Sequence, residues 1–435
     1  MKSISLSVCL LLLIIITGNL AKAQTTSPPA TADMVIQAAR MVDVKNGKII
    51  NNPMVFVSGN RITYVGSGTK IPQKSKMVQL GDVTLLPGLI DAHTHLLEID
   101  NHDMGGLLTV AQASTAKRAL MGVAHGREML EAGFTSVRDL GNSGMNGDIA
   151  LRDAINAGWV TGPRLFASGR ALAPAGGQFG PMIPEAQGLI SQEYAVVNNP
   201  DQARLAVRQA IYDGATWIKI IANQGRIRLS PAEIKVIMEE ANNSHRPVAA
   251  HVTDDETARL VVEAGVTSIE HGYILSDETL KLMVKNNTYL VPTDGPTDSY
   301  VLGPHLTPEE RTQLAAGVKG FRERSQDRLR RAVKAGVSIA AGSDSYVQVP
   351  GKSRGQAAQG MFSAYAEAGM TPSEIIKAAT INAATLLGWH DRIGSLEPGR
   401  FADIVAVSGN PLENIESLSK VVFVMKDGKI VKPSV

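Results

Sequence analysis

The sequence predicts an α/β protein, a (β/α)8 barrel of the TIM type with a small β-sandwich domain built from both chain termini. The chain has 435 residues, which is enough for such a barrel and a second domain. Short β-branched segments recur between helix-length segments, the pattern of repeated βα units. Strand runs separated by hairpin signals occupy both ends of the chain.

The first 23 residues have the pattern of a secretory signal. Lys2 precedes an apolar run, and Ala21-Lys22-Ala23 forms a small-x-small site with predicted cleavage after Ala23. We therefore expect a periplasmic or secreted protein. The alternative is a retained membrane anchor, although the run is short for a span of about 20 residues. Cys9 is the only cysteine, so the mature chain would have neither a disulfide nor a thiolate metal site.

The charge balance excludes two classes of partner. Without residues 1–23 the chain has 41 basic and 41 acidic residues. Such a chain lacks the excess of basic residues with which proteins bind nucleic acid or anionic membrane surfaces. We expect a small-molecule substrate, no nucleic-acid partner and no stable membrane span after signal cleavage. The sequence leaves open whether the protein forms a homo-oligomer.

The two ends of the chain share one pattern, in which strands alternate with tight turns. The hairpin signals are Asn46-Gly47, Gly59-Asn60 and Asp427-Gly428. We predict that residues 24–86 and 398–435 together form the β-sandwich domain and that residues 87–397 form the barrel.

Four segments of the barrel region repeat one unit, a helix end, a glycine and a short strand: EAGFTSVRDLG, DGATWIKII, EAGVTSIEHGY and KAGVSIAAGSD. Counting such strands gives eight, near residues 89–92, 135–137, 165–167, 216–221, 248–250, 267–269, 288–291 and 337–340. The last helix is marked by a capping box of Thr371 and Glu374 and by Gly388 after its end.

In a barrel of this kind the chemistry lies at the carboxyl ends of the strands. The polar residues predicted there are His93, His95, Asp139, Lys219, His251, His271 and Asp344. His93 and His95 would face the same side of one strand, about 6 to 7 Å apart. Four imidazoles and one carboxylate favour zinc or a similar transition metal over calcium or magnesium.

Lys219 lies in the middle of an apolar strand, where an unpaired ammonium would cost several kcal/mol. One alternative is a lysine that extends its amine to solvent at the barrel rim. The other is a lysine carboxylated by CO₂, whose carbamate would bridge two divalent metal ions.

The set His93-x-His95, Lys219, His251, His271 and Asp344, in this strand order, resembles the binuclear metal-dependent amidohydrolase superfamily. The segments LLPGLIDAHTHL and VAAHVTDDETARLVVEAGVTSIEHG are similar to its imidazolonepropionase-like and prolidase-like branch. Members of that branch cleave Xaa-Pro or Xaa-Arg/Lys dipeptides or N-acyl amino acids, including the mycotoxin ochratoxin. The resemblance covers nearly the whole mature chain.

The resemblance implies a two-metal site, with Zn²⁺ favoured. His93, His95 and Asp344 would bind one ion, His251 and His271 the second, and N6-carboxylated Lys219 would bridge both. A hydroxide between the ions would attack an amide, and Asp344 would act as general base and then acid.

The chain departs from the branch in two loops, and these departures leave the substrate open. It has GGQFG at residues 176–180 where relatives have Gly-Gly-His-Gly. It has Asn223-Gln224-Gly225 where Thr-Gly-Gly or Ser-Gly-Gly is usual. Arg226 or Arg228 could pair with a substrate carboxylate, but the substrate-binding residues stay unknown.

Other functions remain open at this point. The same metal pair serves lactone, phosphotriester or cyclic-amide hydrolysis, and a barrel with structural metals could only bind a ligand. GKSRG at residues 351–355 matches the Gly-x-Ser-x-Gly motif of serine hydrolases, but it lacks a clear preceding strand.

Overall fold

A computed structural model describes residues 29, 31–98, 106–224, 227–296, 300 and 307–433, with only the backbone of Arg311. The predicted signal at residues 1–23 lies outside this set. Among the described residues, no helix has the length and apolar composition needed to cross a membrane.

The strands follow the chain in three groups. The first group comprises β1 (Met34–Gln37), β2 (Arg40–Asp43), β3 (Lys48–Asn51), β4 (Pro53–Ser58), β5 (Arg61–Ser67), β6 (Lys76–Gln79) and β7 (Val83–Pro87). The second comprises β8 (Leu89–Thr94), β9 (Phe134–Asp139), β10 (Arg164–Ala167), β11 (Ala171–Ala173), β12 (Tyr194–Val196), β13 (Ile218–Ile221), β14 (Asn223–Gln224), β15 (Ile227–Arg228), β16 (Val248–Val252), β17 (Ser268–His271) and β18 (Tyr289–Val291). The third comprises β19 (Ile404–Ser408), β20 (Val421–Lys426) and β21 (Lys429–Lys432).

The helices lie mainly between the strands of the second group and after them. They are α1 (Leu107–Gln112), α2 (Thr115–Glu131), α3 (Gly147–Asn156), α4 (Ile190–Glu193), α5 (Pro200–Tyr212), α6 (Pro231–Asn243), α7 (Asp255–Ala264), α8 (Asp277–Asn286), α9 (Pro308–Ala335), α10 (Arg354–Glu367), α11 (Pro372–Lys377) and α12 (Ala383–Leu386).

Two sheets contain the terminal strands, in the orders β5-β4-β1-β6 and β21-β20-β19-β7-β2-β3. The second sheet joins both ends of the chain because β19 pairs with β7. Apolar side chains of the two sheets, among them Ile36, Val55, Leu85 and Phe423, form one buried cluster. The three predicted hairpins are confirmed as β2-β3, β4-β5 and β20-β21. The exact boundaries of this domain stay a prediction.

The barrel strands are parallel, and their ring is closed by hydrogen bonds to the segment after α9. Seven of the eight predicted strands are regular strands, although the third is split into β10 and β11. The eighth, expected near residues 337–340, forms only a bridge between Ile339 and Leu290. The ring still closes there, because Ala92 N donates to Ala341 O at 2.7 Å. The short strand β12 beside β11 was not predicted.

The glycine in each repeated unit occupies a backbone conformation that other residues rarely adopt. Gly133, Gly214, Gly265 and Gly336 have φ of 96°, 101°, 92° and 89°. Each glycine ends a helix and turns the chain into the next strand or bridge, as predicted. The spacing of the barrel units is therefore set locally by these turns.

Replacing Gly133 by Ala should lower the free energy of unfolding by roughly 1 to 2 kcal/mol, the cost of a left-handed non-glycine residue. The new Cβ would also lie 3.3 Å from side-chain carbons of Val405 and Val421 on the β-sandwich. Thermal or urea unfolding measures this loss. Gly188→Ala is the control, because its Cβ meets open space at an ordinary φ; equal stability of the two variants would contradict the prediction.

The last barrel helix begins as predicted, with a capping box between Thr371 and Glu374. It then widens into a π-helical turn, Ala378–Asn382, before α12. Within that turn the carbonyl of Ala378 accepts a hydrogen bond from Ala341 N at 2.9 Å. The turn thus supports the irregular eighth segment, which carries Asp344.

Candidate active site

The first barrel strand directs two histidines into the barrel. His93 is fully buried, and its Nδ1 donates to Glu270 Oε2 at 2.7 Å. His95 Nδ1 donates to Gly141 O at 2.8 Å. Because Glu270 holds the Nδ1 proton of His93, the Nε2 of that ring is left with a lone pair. Against the effect of burial, the hydrogen bond to the Asp344 carboxylate raises the pKa of His95 to about 9. The Nε2 of His93 is buried and has no hydrogen-bond partner among the described residues.

Strands β16 and β17 supply two more histidines. The ring centroid of His271 lies 4.3 Å from that of His251 and 5.0 Å from that of His93. His271 Nδ1 donates to Thr293 Oγ1 at 2.7 Å, while His251 Nε2 is buried and, in the described part of the chain, without a partner. Burial lowers the pKa of His93, His251 and His271 well below the ordinary value. All three are therefore neutral, the form that binds metals.

Asp344 completes the cluster from the segment after the eighth barrel position. Its Oδ1 lies 3.2 Å from His95 Nε2 and 3.6 Å from His93 Nε2. Ligand atoms of His93, His271 and Asp344 all lie within 4.8 Å of one another. Burial alone would raise the pKa of Asp344, but His93, His95 and Lys219 bring it below its ordinary value. The carboxylate is therefore ionised at neutral pH.

The backbone is unusual at three positions around this cluster. His271, Thr293 and Asp344 have φ of 67°, 57° and 51°, in the left-handed region. Residues held in this region cost of order 1 to 3 kcal/mol each and occur often at functional sites. Here the conformation turns His271 and Asp344 toward the same point.

Lys219 is buried on β13, with 2 % of its surface exposed. Burial lowers the pKa of its amine to about 8, against the attraction of Glu270 and Asp344. The alternative of an amine extended to solvent at the rim is therefore wrong.

The buried groups fit a bound cation. The Nε2 atoms of His93 and His251 are buried without hydrogen-bond partners among the described residues, next to the carboxylate of Asp344 and the low-pKa amine of Lys219. Burying such atoms unpaired costs free energy, which a bound cation would offset. The geometry brings together five of the six predicted ligand residues, His93, His95, His251, His271 and Asp344. The sixth, Lys219, interacts electrostatically with His93, His251 and Asp344. Their assignment to individual ions stays a prediction.

Two other predicted positions have different roles. The Asp139 carboxylate accepts hydrogen bonds from Leu96 N at 2.6 Å and from Ser143 Oγ at 2.9 Å, so it fixes the loop after β8. Arg228 pairs at 2.9 Å with Glu256, and both are largely exposed. Arg226 lies outside the described residues.

Sequence reasoning missed the group that holds His93. Glu270 Oε1 accepts from Arg138 at 2.8 Å, and both side chains are fully buried. Arg138 Nε donates to Ala92 O at 2.6 Å, and its guanidinium lies 4.4 Å from the ring centroid of Trp217. The available signal was the pair of charges inside the apolar strands TSVRD and TSIEH.

The serine-hydrolase alternative does not fit the structure. Ser353 follows a turn and is the N-cap of α10, where its Oγ accepts from Gln356 N at 3.3 Å. A Cβ at Gly355 would lie 2.4 Å from Glu128 O, so this glycine permits close packing of α10 on α2. The motif is therefore structural.

Residues 84–431 match the sequence model of the amidohydrolase family. The chain belongs to this family. Ochratoxinase of Aspergillus niger is 32 % identical over 92 % of the chain and 87 % of its own length. The crystal structure of a Xaa-Pro dipeptidase with bound methionine in its active site has a TM-score of 0.77 and 31 % identity, over 91 % of this chain and 99 % of that one. A prolidase complexed with N-methylphosphonate-L-proline has a TM-score of 0.80 and 29 % identity, over 92 % and 100 %.

These comparisons confirm the predicted family, its prolidase-like branch, and the barrel with its satellite domain. The prediction of a hydrolase acting on amide bonds is confirmed as well. An amidohydrolase of this kind uses divalent metal ions, and the cluster of His93, His271 and Asp344 is present.

Proposed function

We propose that the protein is an exported, metal-dependent amidohydrolase that cleaves the amide bond of a dipeptide or an N-acyl amino acid. The observation that carries the proposal is the convergence of His93, His271 and Asp344 beside buried Lys219. The relatives named above, an ochratoxinase and two dipeptidases of the prolidase type, support the substrate class.

The proposed ligands divide into two groups. His93, His95 and Asp344 would hold one divalent ion, and His251 with His271 the other. The carbamate of Lys219 would contact both, with Zn²⁺ favoured by the nitrogen-rich set. When bound, such ions would lower the pKa of a water and would polarise the carbonyl of the amide.

Proton transfer in the proposed reaction is assigned to Asp344. Asp344 is ionised and lies at the centre of the cluster, so it takes the proton of the attacking water. It then passes this proton to the leaving nitrogen, acting first as base and then as acid. Glu270 and Arg138 keep His93 in one tautomer and one orientation, with Nε2 facing the cluster.

Glu270→Gln should lower the hydrolysis rate and metal affinity by about 10- to 100-fold, as for other groups that orient a metal-binding histidine. The single oxygen of Gln would face the Arg138 guanidinium, so its NH₂ would donate to His93 Nδ1, and the ring proton would move to Nε2, the nitrogen proposed to bind the metal. Metal content and initial rates measure the effect. Glu239→Gln, on the exposed face of α6, is the control, and equal behaviour of the two variants would contradict the role of Glu270.

The proposal as a whole is tested by metal analysis of the purified protein together with a hydrolysis screen. Dipeptides and N-acyl amino acids are varied at the C-terminal residue, with lactones and phosphotriesters as the competing classes. We expect two metal ions per chain, amide turnover and loss of turnover with a chelator. Turnover of esters alone, or inhibition by a fluorophosphonate but not by a chelator, would overturn the proposal.

Export rests on residues 1–23 alone and has a separate test. The full chain is expressed in a bacterial host, and the N-terminus of the soluble product is read by mass spectrometry. We expect Gln24 as the first residue in the periplasmic fraction. An intact N-terminus in the membrane fraction would favour the retained anchor.

A further inference from the structure

The loops that follow β11 and β13 line an open cavity of about 480 Å³. Leu172 of β11 lies opposite Ile220 of β13, and the next residue of β13, Ile221, lies opposite His251. Both loops therefore leave the barrel at the level of a proposed metal ligand. The hairpin that supplies Ile227 to the cavity also contacts the segment after a proposed metal ligand, because Asn223 Nδ2 donates to Thr253 Oγ1, two residues beyond His251, at 2.9 Å.

The cavity wall is mainly apolar, and none of its described lining residues is charged. The apolar lining residues are Phe179, Pro181, Met182, Ile190, Val196 and Ile227. The polar ones include Ser191 and Asn198, and Asn198 Oδ1 already accepts a hydrogen bond from Ala175 N at 3.2 Å. A charged group would lose its hydration here without a counterion among the described lining residues. An apolar group would gain about 25 cal/mol for each Å² that it buries.

A pair of glutamines connects the two loops beside this cavity. Gln178 Nε2 donates to Gln224 Oε1, and Gln178 Oε1 accepts from Tyr194 Oη at 3.2 Å. Tyr194 is buried, and its ring meets that of Phe179 with centroids 5.6 Å apart. Gln178 and Gln224 are also positions at which the chain departs from its branch. The residues at these two positions contact each other, and their hydrogen bond fixes the loop that contains Phe179 against the hairpin that contains Ile227.

We propose that this cavity is the specificity pocket of the enzyme and that it binds an uncharged aromatic or branched aliphatic group of the amide substrate. The Gln178–Gln224 pair holds the pocket in shape. This inference rests on the proposed function and adds the chemical class of one part of the substrate.

The pocket is tested by filling it. Val196→Phe adds an aromatic ring at the half-buried wall, and Ser191→Phe does so from an exposed position, which keeps the test if the first variant does not fold. Ile183→Phe is the matched control, since Ile183 is 66 % exposed and does not line the cavity. Circular dichroism and thermal melting check the fold of each variant.

Two groups of amide substrates are compared. The first group has a naphthyl group on one side of the amide bond, and the second has only acetyl and glycyl groups. We expect the filling variants to lower kcat/KM at least tenfold for the naphthyl amides and less than twofold for the small ones. Ile183→Phe should resemble the wild type. Equal losses for both groups of substrates, or no loss for either, would overturn the pocket.

A binding experiment separates failure of the pocket from failure of the proposed function. 2-Naphthylacetamide is titrated into the metal-loaded protein and followed by its fluorescence anisotropy. If the wild type hydrolyses no amide but binds the probe at least tenfold more tightly than Val196→Phe, the pocket is supported and the proposed amidohydrolase function is wrong. If amides are hydrolysed and the wild type and Val196→Phe bind the probe equally, the pocket assignment is wrong and the proposed amidohydrolase function is supported.

The glutamine pair is tested by a double-mutant cycle of Gln178→Ala and Gln224→Ala. If their contact shapes the pocket, the double variant should lose no more kcat/KM for the naphthyl amides than the worse single variant. Independent, additive losses would assign the two residues separate roles and overturn the coupling.

Discussion

Lys219→Ala should abolish most of the hydrolysis, with a loss of more than about 100-fold, because it removes a proposed metal ligand rather than a group that only orients one. The bound metal should fall from two ions per chain to one or fewer. The barrel should stay folded, since Ala occupies interior strand positions without strain. Steady-state rates and metal analysis on the same sample measure both effects.

The matched control for this variant is Lys235→Ala, on the exposed face of α6, where the side chain is 77 % exposed. It should retain wild-type rate and metal content. A Lys219→Ala protein with two bound metals and near-normal turnover would remove Lys219 from the site. Incubation of the metal-loaded wild type with ¹³CO₂ should in addition give a carbamate signal in the ¹³C NMR spectrum that Lys219→Ala lacks.

Asp344→Asn should lower kcat by about 100- to 10,000-fold, the range for removal of a general acid–base group. Asn keeps the size of the side chain but cannot accept the proton of the attacking water. Because Asp344 is also a proposed metal ligand, metal content is measured on the same sample. With both ions bound, KM should change little, since Asp344 is proposed to act on protons rather than on substrate binding. Rates over a series of substrate concentrations separate the two parameters.

Asp391→Asn, at an exposed position, is the control for this substitution. If Asp344→Asn keeps more than a tenth of the wild-type kcat with its metals bound, another group transfers the proton. If KM rises while kcat is unchanged, Asp344 contributes to binding alone.

The candidate metal-ligand residues were readable from the sequence because they lie within short apolar strands or just after them. Strand alternation places His93 and His95 on one side, and the barrel pattern places Lys219, His251 and His271 at the same end. Asp139 shows the limit of this reasoning, since it also ends a strand but bonds to Leu96 N and Ser143. A position at the end of a strand determines how far along the barrel axis a residue lies, but it does not determine which way the side chain points.

The sequence by itself determined the repeated barrel units, the hairpins and the helix caps. These features depend on contacts within a few residues, such as the positive φ of Gly133 or the capping box at Thr371. Only the tertiary structure decided which distant side chains meet. Glu270 contacts Arg138 and His93 across 132 and 177 residues, and Gln178 contacts Gln224 across two loops. Such contacts form only when the ring of strands closes, so no local pattern specifies them.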